Sequence, residues 1–479
     1  MNPRNENSNG CRADPSPLTL RRLSIACFFL FFLFVAGCHN TGGGASQVKL
    51  ILIDQAWVDK EYQRRLNEQL AAFTRQSGIR VEVLPAPEAA VEQLATWRRL
   101  LESRARVPDV YGIDMIWPAI LADNLVDLKP YVPAEEIKVH FPELISNDTV
   151  SGRLVLLPSQ LNEGVLFYRR DLLREYGYHM PPKTWGELER MAKRIQSGER
   201  AKGNKDFWGF VWQGAPSEAL TCNALEWQVS EGGGTILDEN GRITVNNPNT
   251  IRAWERAARW VGSISPRAVI AYKEWDALNM WQAGQAAFMR NWTGAYRAVR
   301  APNSPARDRS DIAPLPAGAA RTASVIGGEG YGVSRHSLYP REAAMLVRFL
   351  GSRDEQVRRS HNVNEAPTIP ELDNDPEVLA ANPQFPRALE VFRNGAVFRP
   401  SKQAGKMYPD VSRAYFEAVH AVLSGKKSAS KAAGDLESEL RGMLKTTSIN
   451  PNVRAYATIS SAKGERPEHC RQRSLPCFW

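Results

Sequence analysis

The sequence predicts an α/β protein of two domains. Strand-like runs alternate with amphipathic helical segments along the body of the chain, and a second series of the same kind follows the first. The chain of 479 residues, or 442 once residues 1–37 are set aside as a leader, exceeds what one hydrophobic core holds.

The first series begins with "VKLILI" (Val48 to Ile53), a continuous apolar run that predicts a buried strand. Tyr62, Leu66, Leu70 and Phe73 recur at helical spacing in the next segment, which Gly78 closes. "IRVEV" (Ile79 to Val83) alternates as a strand, a helix is expected over Glu88 to Arg104, and "PDVYGID" (Pro108 to Asp114) returns as a strand. Strands separated by helices imply parallel pairing. The second series follows "GRLVLLP" (Gly152 to Pro158). It contains "TWGELERMAKRIQ", where Thr184 and Glu187 have the spacing of a capping box, then strand-like "FWGFVWQG" and two further helices. "MWQAGQAAFMRNWTGAY" (Met280 to Tyr296) predicts a helix burying Trp281, Ala286 and Phe288, then a loop holding Asn291, Trp292, Thr293 and Gly294. "YPREAAMLVRFLGS" is helical, and C-terminal helices follow "NEAPTIPELDNDP".

The N-terminus predicts export. Arg21 and Arg22 precede eleven apolar residues, Ile25 to Val35, a length that suits a signal core and falls short of the roughly 20 residues a spanning helix needs. "VAGC" (Val35 to Cys38) then resembles the lipobox of bacterial lipoproteins, which implies loss of residues 1–37 and a lipid on Cys38. Residues 38–47, "CHNTGGGASQ", have the polar, Gly-rich composition of a flexible tether. The leader carries Arg4, Arg12, Arg21 and Arg22 against Glu6 and Asp14, so the formal charge falls from +9 to +7. That balance, with both signs mixed, calls for no nucleic acid.

Of six cysteines, Cys222, Cys470 and Cys477 remain after Cys11, Cys27 and Cys38 are accounted for. No C-x-x-C pair or Cys/His cluster is present, and the seven His are scattered, so neither metal nor cofactor is expected. Either a disulfide joins Cys470 and Cys477 or the tail over 449–479 is disordered; the sequence leaves both open. "GGEGYG" is not a dinucleotide fingerprint, and no phosphate-binding Walker loop or G-x-S-x-G elbow occurs.

Several segments, in order, carry a family likeness. They are "DVYGIDMIWPAILADNLVDLKPYV", "LPSQLNEGVLFYRRDLLREYG", "TWGELERMA", "WQAGQAAFMRNWTGAY", "YGVSRHSLYPREAAMLVRFLGS" and "APTIPEL". Through them the chain resembles the extracellular solute-binding proteins of sugar ABC transporters, the maltose- and trehalose-binding group, from about Val48 to Leu444. The resemblance implies a two-lobe periplasmic-binding-protein-like fold of type II, with the ligand clamped between lobes joined by crossovers near Val155–Ser159, Ala313–Pro316 and His361–Thr368. Lobe 1 would comprise 48–156 and 316–363, and lobe 2 would comprise 157–315 and 364–448. It further implies a monomer that captures a disaccharide or short oligosaccharide and passes it to a membrane permease.

A sugar offers adjacent hydroxyls and apolar C–H faces, so its site should mix carboxylates, amides and Arg with aromatic rings. Asp114 ends a predicted strand where the family places a cleft Asp; the alternative is a cap or loop Asp. Asn162 and Glu163 follow the crossover, with turn residues as the alternative. Glu218 matches a ligand-facing position in trehalose-binding relatives, although a Glu in a first helical turn also favours the helix dipole alone. Trp292 lies beyond its helix among small and polar residues and is expected to stack on a sugar, whereas Trp281 is expected in the core and Trp117 fits either role. Glu329 lies among glycines that would let backbone approach a ligand. Arg399 and Tyr408 match a family region that sets a cation and an aromatic on the cleft. Rival readings are a glycoside hydrolase with two carboxylates drawn from Asp114, Glu163, Glu218 and Glu329, and a binding protein for a non-sugar solute.

Overall fold

The computed structural model describes residues 48–447, apart from 55–59, 88–89, 302–303, 364–365 and 383. The leader, Cys38, Cys470 and Cys477 lie outside the described residues. Among the described residues there are eleven strands: β1 (Lys49–Asp54), β2 (Arg80–Pro85), β3 (Val110–Asp114), β4 (Thr149–Val150), β5 (Arg153–Leu154), β6 (Leu157–Arg169), β7 (Trp208–Val211), β8 (Ala286–Trp292), β9 (Ser310–Ala313), β10 (Ser324–Val333) and β11 (Ala396–Val397). Nine of them form one sheet in the order β2-β1-β3-β10-β6-β8-β7, with β11 on β10 and β9 on β6. The parallel pairs expected of an α/β chain are there, β1 with β2 and β3, and β7 with β8. The sheet is nevertheless mixed, because β10 runs antiparallel to both β3 and β6.

Two long strands tie the halves together. β6 changes partner midway, with Leu157–Glu163 on β10 and Gly164–Arg169 on β8 and β9. β10 in turn bridges β3 and β6, and Ala366 lies against β6 through a bond from the Leu161 amide. These extended connections join the two lobes of an α/β fold.

Most helices stand where the apolar spacing put them. The first, Lys60–Ser77, buries Leu66, Leu70 and Phe73 and stops at Gly78, whose φ of 74° suits glycine. Thr184 caps Trp185–Ala201 by accepting from the Glu187 amide at 3.2 Å; the Glu187 carboxylate reaches back one residue further than a standard box, to the Lys183 amide at 2.7 Å. The Glu218–Ser230 helix is different: every residue from Ala219 to Ser230 is buried, so it runs through the interior. Its Trp227 packs edge to face with Trp212 and Trp260, which also meet each other edge to face, at 5.0–6.4 Å in the core.

One expectation fails. The helix near Trp281 spans Glu274–Gln282, with Gly284 just beyond it at a φ of 74°, and Ala286 and Phe288 belong to β8. Trp292 is the last residue of that strand and not a loop residue. Because β8 lies between β6 and β7 and is covered on both faces, six of its seven residues are buried. A short apolar run of that kind has no period to separate strand from helix. Trp281 is fully buried, as expected, and Trp117 proves to be core. Among the described residues no helix is long and apolar enough to cross a membrane.

Candidate functional site

A cleft of about 500 Å³ opens where the two halves of the sheet meet. Its floor is one face of three adjoining strands. Asp114 on β3 pairs with Glu329 on β10, Glu329 pairs with Gln160 on β6, and Gly327 pairs with Asn162. Gly164 on β6 then pairs with Trp292 on β8. Side chains alternate along a strand, so Gln160 and Asn162 share the cleft face. Gln160 was missed in the sequence, although the same alternation pointed to it.

Glu163 must point the other way, and this corrects its expected place in the cleft. Its side chain is fully buried, accepts from the Thr293 hydroxyl at 2.9 Å, and leaves Oε1 without a partner among the described residues. Burial pushes its pKa up to about 7, with the nearby Asp373 carboxylate adding to the rise. The bond from Thr293 and one from the Gly294 amide to Asn162 Oδ1, at 3.1 Å, pin the end of β8 to β6.

The wall on the far side is an ion network centred on Arg399. Its Nη1 donates to Glu218 Oε1 at 3.0 Å and its Nη2 to the Ile326 carbonyl at 3.4 Å, with Asp114 Oδ1 at 3.7 Å. Glu218 is held further by the Tyr408 hydroxyl at 2.5 Å and the Ser412 hydroxyl at 2.6 Å. Burial alone would lower the Arg399 pKa; the facing anionic groups, Asp114 and Glu218 among them, carry it above its ordinary value. Desolvation raises the Asp114 pKa while Arg399 opposes the rise. Tyr408 itself is 1 % exposed and does not line the cleft, a second correction. It stands behind Glu218, because the Tyr408–Leu423 helix packs its first turn on the start of the Glu218–Ser230 helix.

Six of the eight expected residues thus line one cleft: Asp114, Asn162, Glu218, Trp292, Glu329 and Arg399. The glycines beside Glu329, Gly327 and Gly328, line the cleft themselves and also make room within the sheet. A Cβ on Gly328, where φ is 146°, would overlap the Gln160 carbonyl, and one on Gly327 would sit 3.3 Å from the Trp292 ring. Further lining comes from Tyr62, Glu274, Trp275, Asn291 and Arg297. Trp275 stays 61 % exposed at the start of its helix. It lies six residues before the buried Trp281 and so off that helical face, a signal available in the sequence. Among the described residues no group of three or more His, Cys, Asp or Glu side chains could hold a metal.

The family model of the bacterial extracellular solute-binding protein matches residues 58–357. A probable ABC transporter-binding protein of Deinococcus radiodurans is 44% identical over 370 residues, covering 77% of this chain and 88% of the relative. Maltose-bound MalE3 of T. maritima superposes with a TM-score of 0.76 at 34% identity, covering 83% of this chain and 100% of that one. The GacH receptor of Streptomyces glaucescens, solved unliganded and with acarbose, shares the fold at a TM-score of 0.73 and 22% identity, over 83% and 99% of the two chains. The chain belongs to the bacterial extracellular solute-binding proteins, a family of ABC-transporter binding proteins rather than enzymes.

Proposed function

We propose that this protein captures a disaccharide or short oligosaccharide of the maltose or trehalose kind in the cleft and delivers it to a membrane permease. The observation that carries the reading is the pairing of one aromatic wall, Trp292, with a polar floor of Asp114, Glu329, Gln160 and Asn162. An indole covers an apolar sugar face, and amides and carboxylates take neighbouring hydroxyls. The T. maritima relative was solved with maltose, which supports the same ligand class. Asn162 fits the role of a hydroxyl donor, since its Oδ1 is already engaged by the Gly294 amide and its Nδ2 is the end left to donate.

A phosphate ester suits the lining poorly, because Asp114, Glu218, Glu274 and Glu329 outnumber Arg297 and Arg399. The hydrolase reading falls with the family assignment. Calorimetry against maltose, maltotriose, trehalose and sucrose tests the proposal. Saturable binding without turnover is expected for at least one of them, and heats that stay at the dilution level for all four would defeat it.

The lipobox-like "VAGC" supports a protein anchored outside the cytoplasm by lipid on Cys38. Labelled fatty acid supplied to expressing cells should be incorporated into the protein and not into Cys38→Ala, and an unlabelled parent or an equally labelled variant would refute the anchor.

A further inference from the structure

Behind Trp292 lies a buried ion pair that is not part of the cleft lining. Arg290, two residues earlier on β8, has its side chain on the same strand face. Its guanidinium carbon stands 4.3 Å from the Trp292 ring centroid. Glu226, from the buried Glu218–Ser230 helix, accepts from Arg290 Nε at 2.9 Å and from Nη2 at 2.5 Å. The two side chains, Arg290 and Glu226, are 1 % and 0 % exposed. Glu226 Oε1 also accepts from the Val325 amide of β10 at 3.1 Å, and the Gln213 side chain donates to the Arg290 carbonyl at 2.9 Å. Space for the pair comes from Gly164, the residue paired with Trp292, where a Cβ would overlap both charged groups. The edge of the indole meets Gly327.

Two buried charges of this kind add little to stability that well-packed apolar side chains of similar size would not supply. Their arrangement points to another role. We propose that the Glu226–Arg290 pair is a positioning device for Trp292, in which the guanidinium stacks behind the indole and holds the ring upright as the cleft wall, with one face left for a sugar. The inference rests on the reading of Trp292 as a sugar-stacking residue and deepens it. A stack against a planar, doubly bonded guanidinium removes ring freedom that a ligand would otherwise have to remove on binding. Because Glu226 also holds β10, the ring is fixed relative to the strand that carries Glu329.

The test is a cycle of variants read by calorimetry with maltose and trehalose as probes. Glu226→Gln with Arg290→Met replaces the pair by neutral side chains of similar size, and the amide oxygen introduced by the first change keeps an acceptor for the Val325 N–H. The expected result is a Kd raised roughly threefold to thirtyfold, the range of a desolvated cation–π contact. In a Trp292→Ala background the same two changes should alter Kd by less than about twofold, since they act through that ring. Arg290→Lys, which keeps the charge but not the planar stack, is read in the same cycle and carries the test if the neutral pair fails to fold. An equal rise in Kd with and without Trp292, or no rise at all, overturns the positioning role while sparing the sugar reading. Failure of the unaltered protein to bind either probe, or any other sugar of the panel, removes both.

Discussion

At the scale of single residues, two side chains carry separable predictions. Trp292 lines the cleft and is only half buried, packing against the edge of the core, so its loss should remove ligand contact with a smaller effect on the fold. Trp292→Ala is expected to weaken sugar binding by at least about tenfold, with a melting temperature within about 3 °C of the parent; unchanged affinity would defeat the stacking assignment. Glu163 is the opposite case, since it is buried and structural. Its pKa of about 7 in the fold stands above the ordinary 4.5, chiefly through desolvation. Between those values the folded state keeps a proton that the unfolded chain has lost, so this group's contribution falls as pH rises through the window. Glu163→Gln should therefore flatten the pH dependence and gain up to roughly 3 kcal/mol over the parent at pH 8. Urea unfolding at pH 5 and pH 8 checks this, and parallel curves for the two proteins would count against it.

At the scale of elements, β10 and β6 do most to shape the cleft. Their glycines are space-makers for neighbours, as Gly164 and Gly327 show. Gly164→Ala would press a methyl into both the Glu226 carboxylate and the Arg290 guanidinium, a clash expected to cost roughly 1–3 kcal/mol in chemical denaturation. Gly327→Ala meets the tip of the Trp292 ring at 3.3 Å, so it should lower sugar affinity more than stability. Equal effects of the two substitutions on stability would contradict this division. The placement of β8 was not legible because a strand covered on both faces has no alternation to read. The Glu218–Ser230 helix was legible as a helix, but not as the interior column that brings Glu218 and Glu226 to the cleft and to its support.

At the scale of the whole molecule, the cleft lies between two parts of one sheet that β6, β10 and the segment near Ala366 connect. Ligands in such clefts bind the folded state alone, and the gain grows with ligand concentration. At one hundred times Kd it is about 2.7 kcal/mol. The melting temperature should thus rise by a few degrees with a binding sugar and continue to rise with its concentration. A shift that saturates at stoichiometric ligand would be inconsistent with this linkage.

What the sequence by itself determined is local and chemical. Apolar periodicity set most helices and the parallel strands, the leader pattern pointed outside the cytoplasm, and ordered motifs led to the binding-protein family. Asp114, Asn162, Glu218, Trp292, Glu329 and Arg399 were all within reach of that reading. Tertiary structure decided which of them face the same space. Strand register placed Asn162 in the cleft and Glu163 behind it; helix packing put Tyr408 at the back of Glu218. It also decided that Arg290 and Glu226, sixty-four residues apart, meet beneath Trp292. Such pairings depend on contacts between distant segments, and a period read along one segment holds no information about what lies across from it.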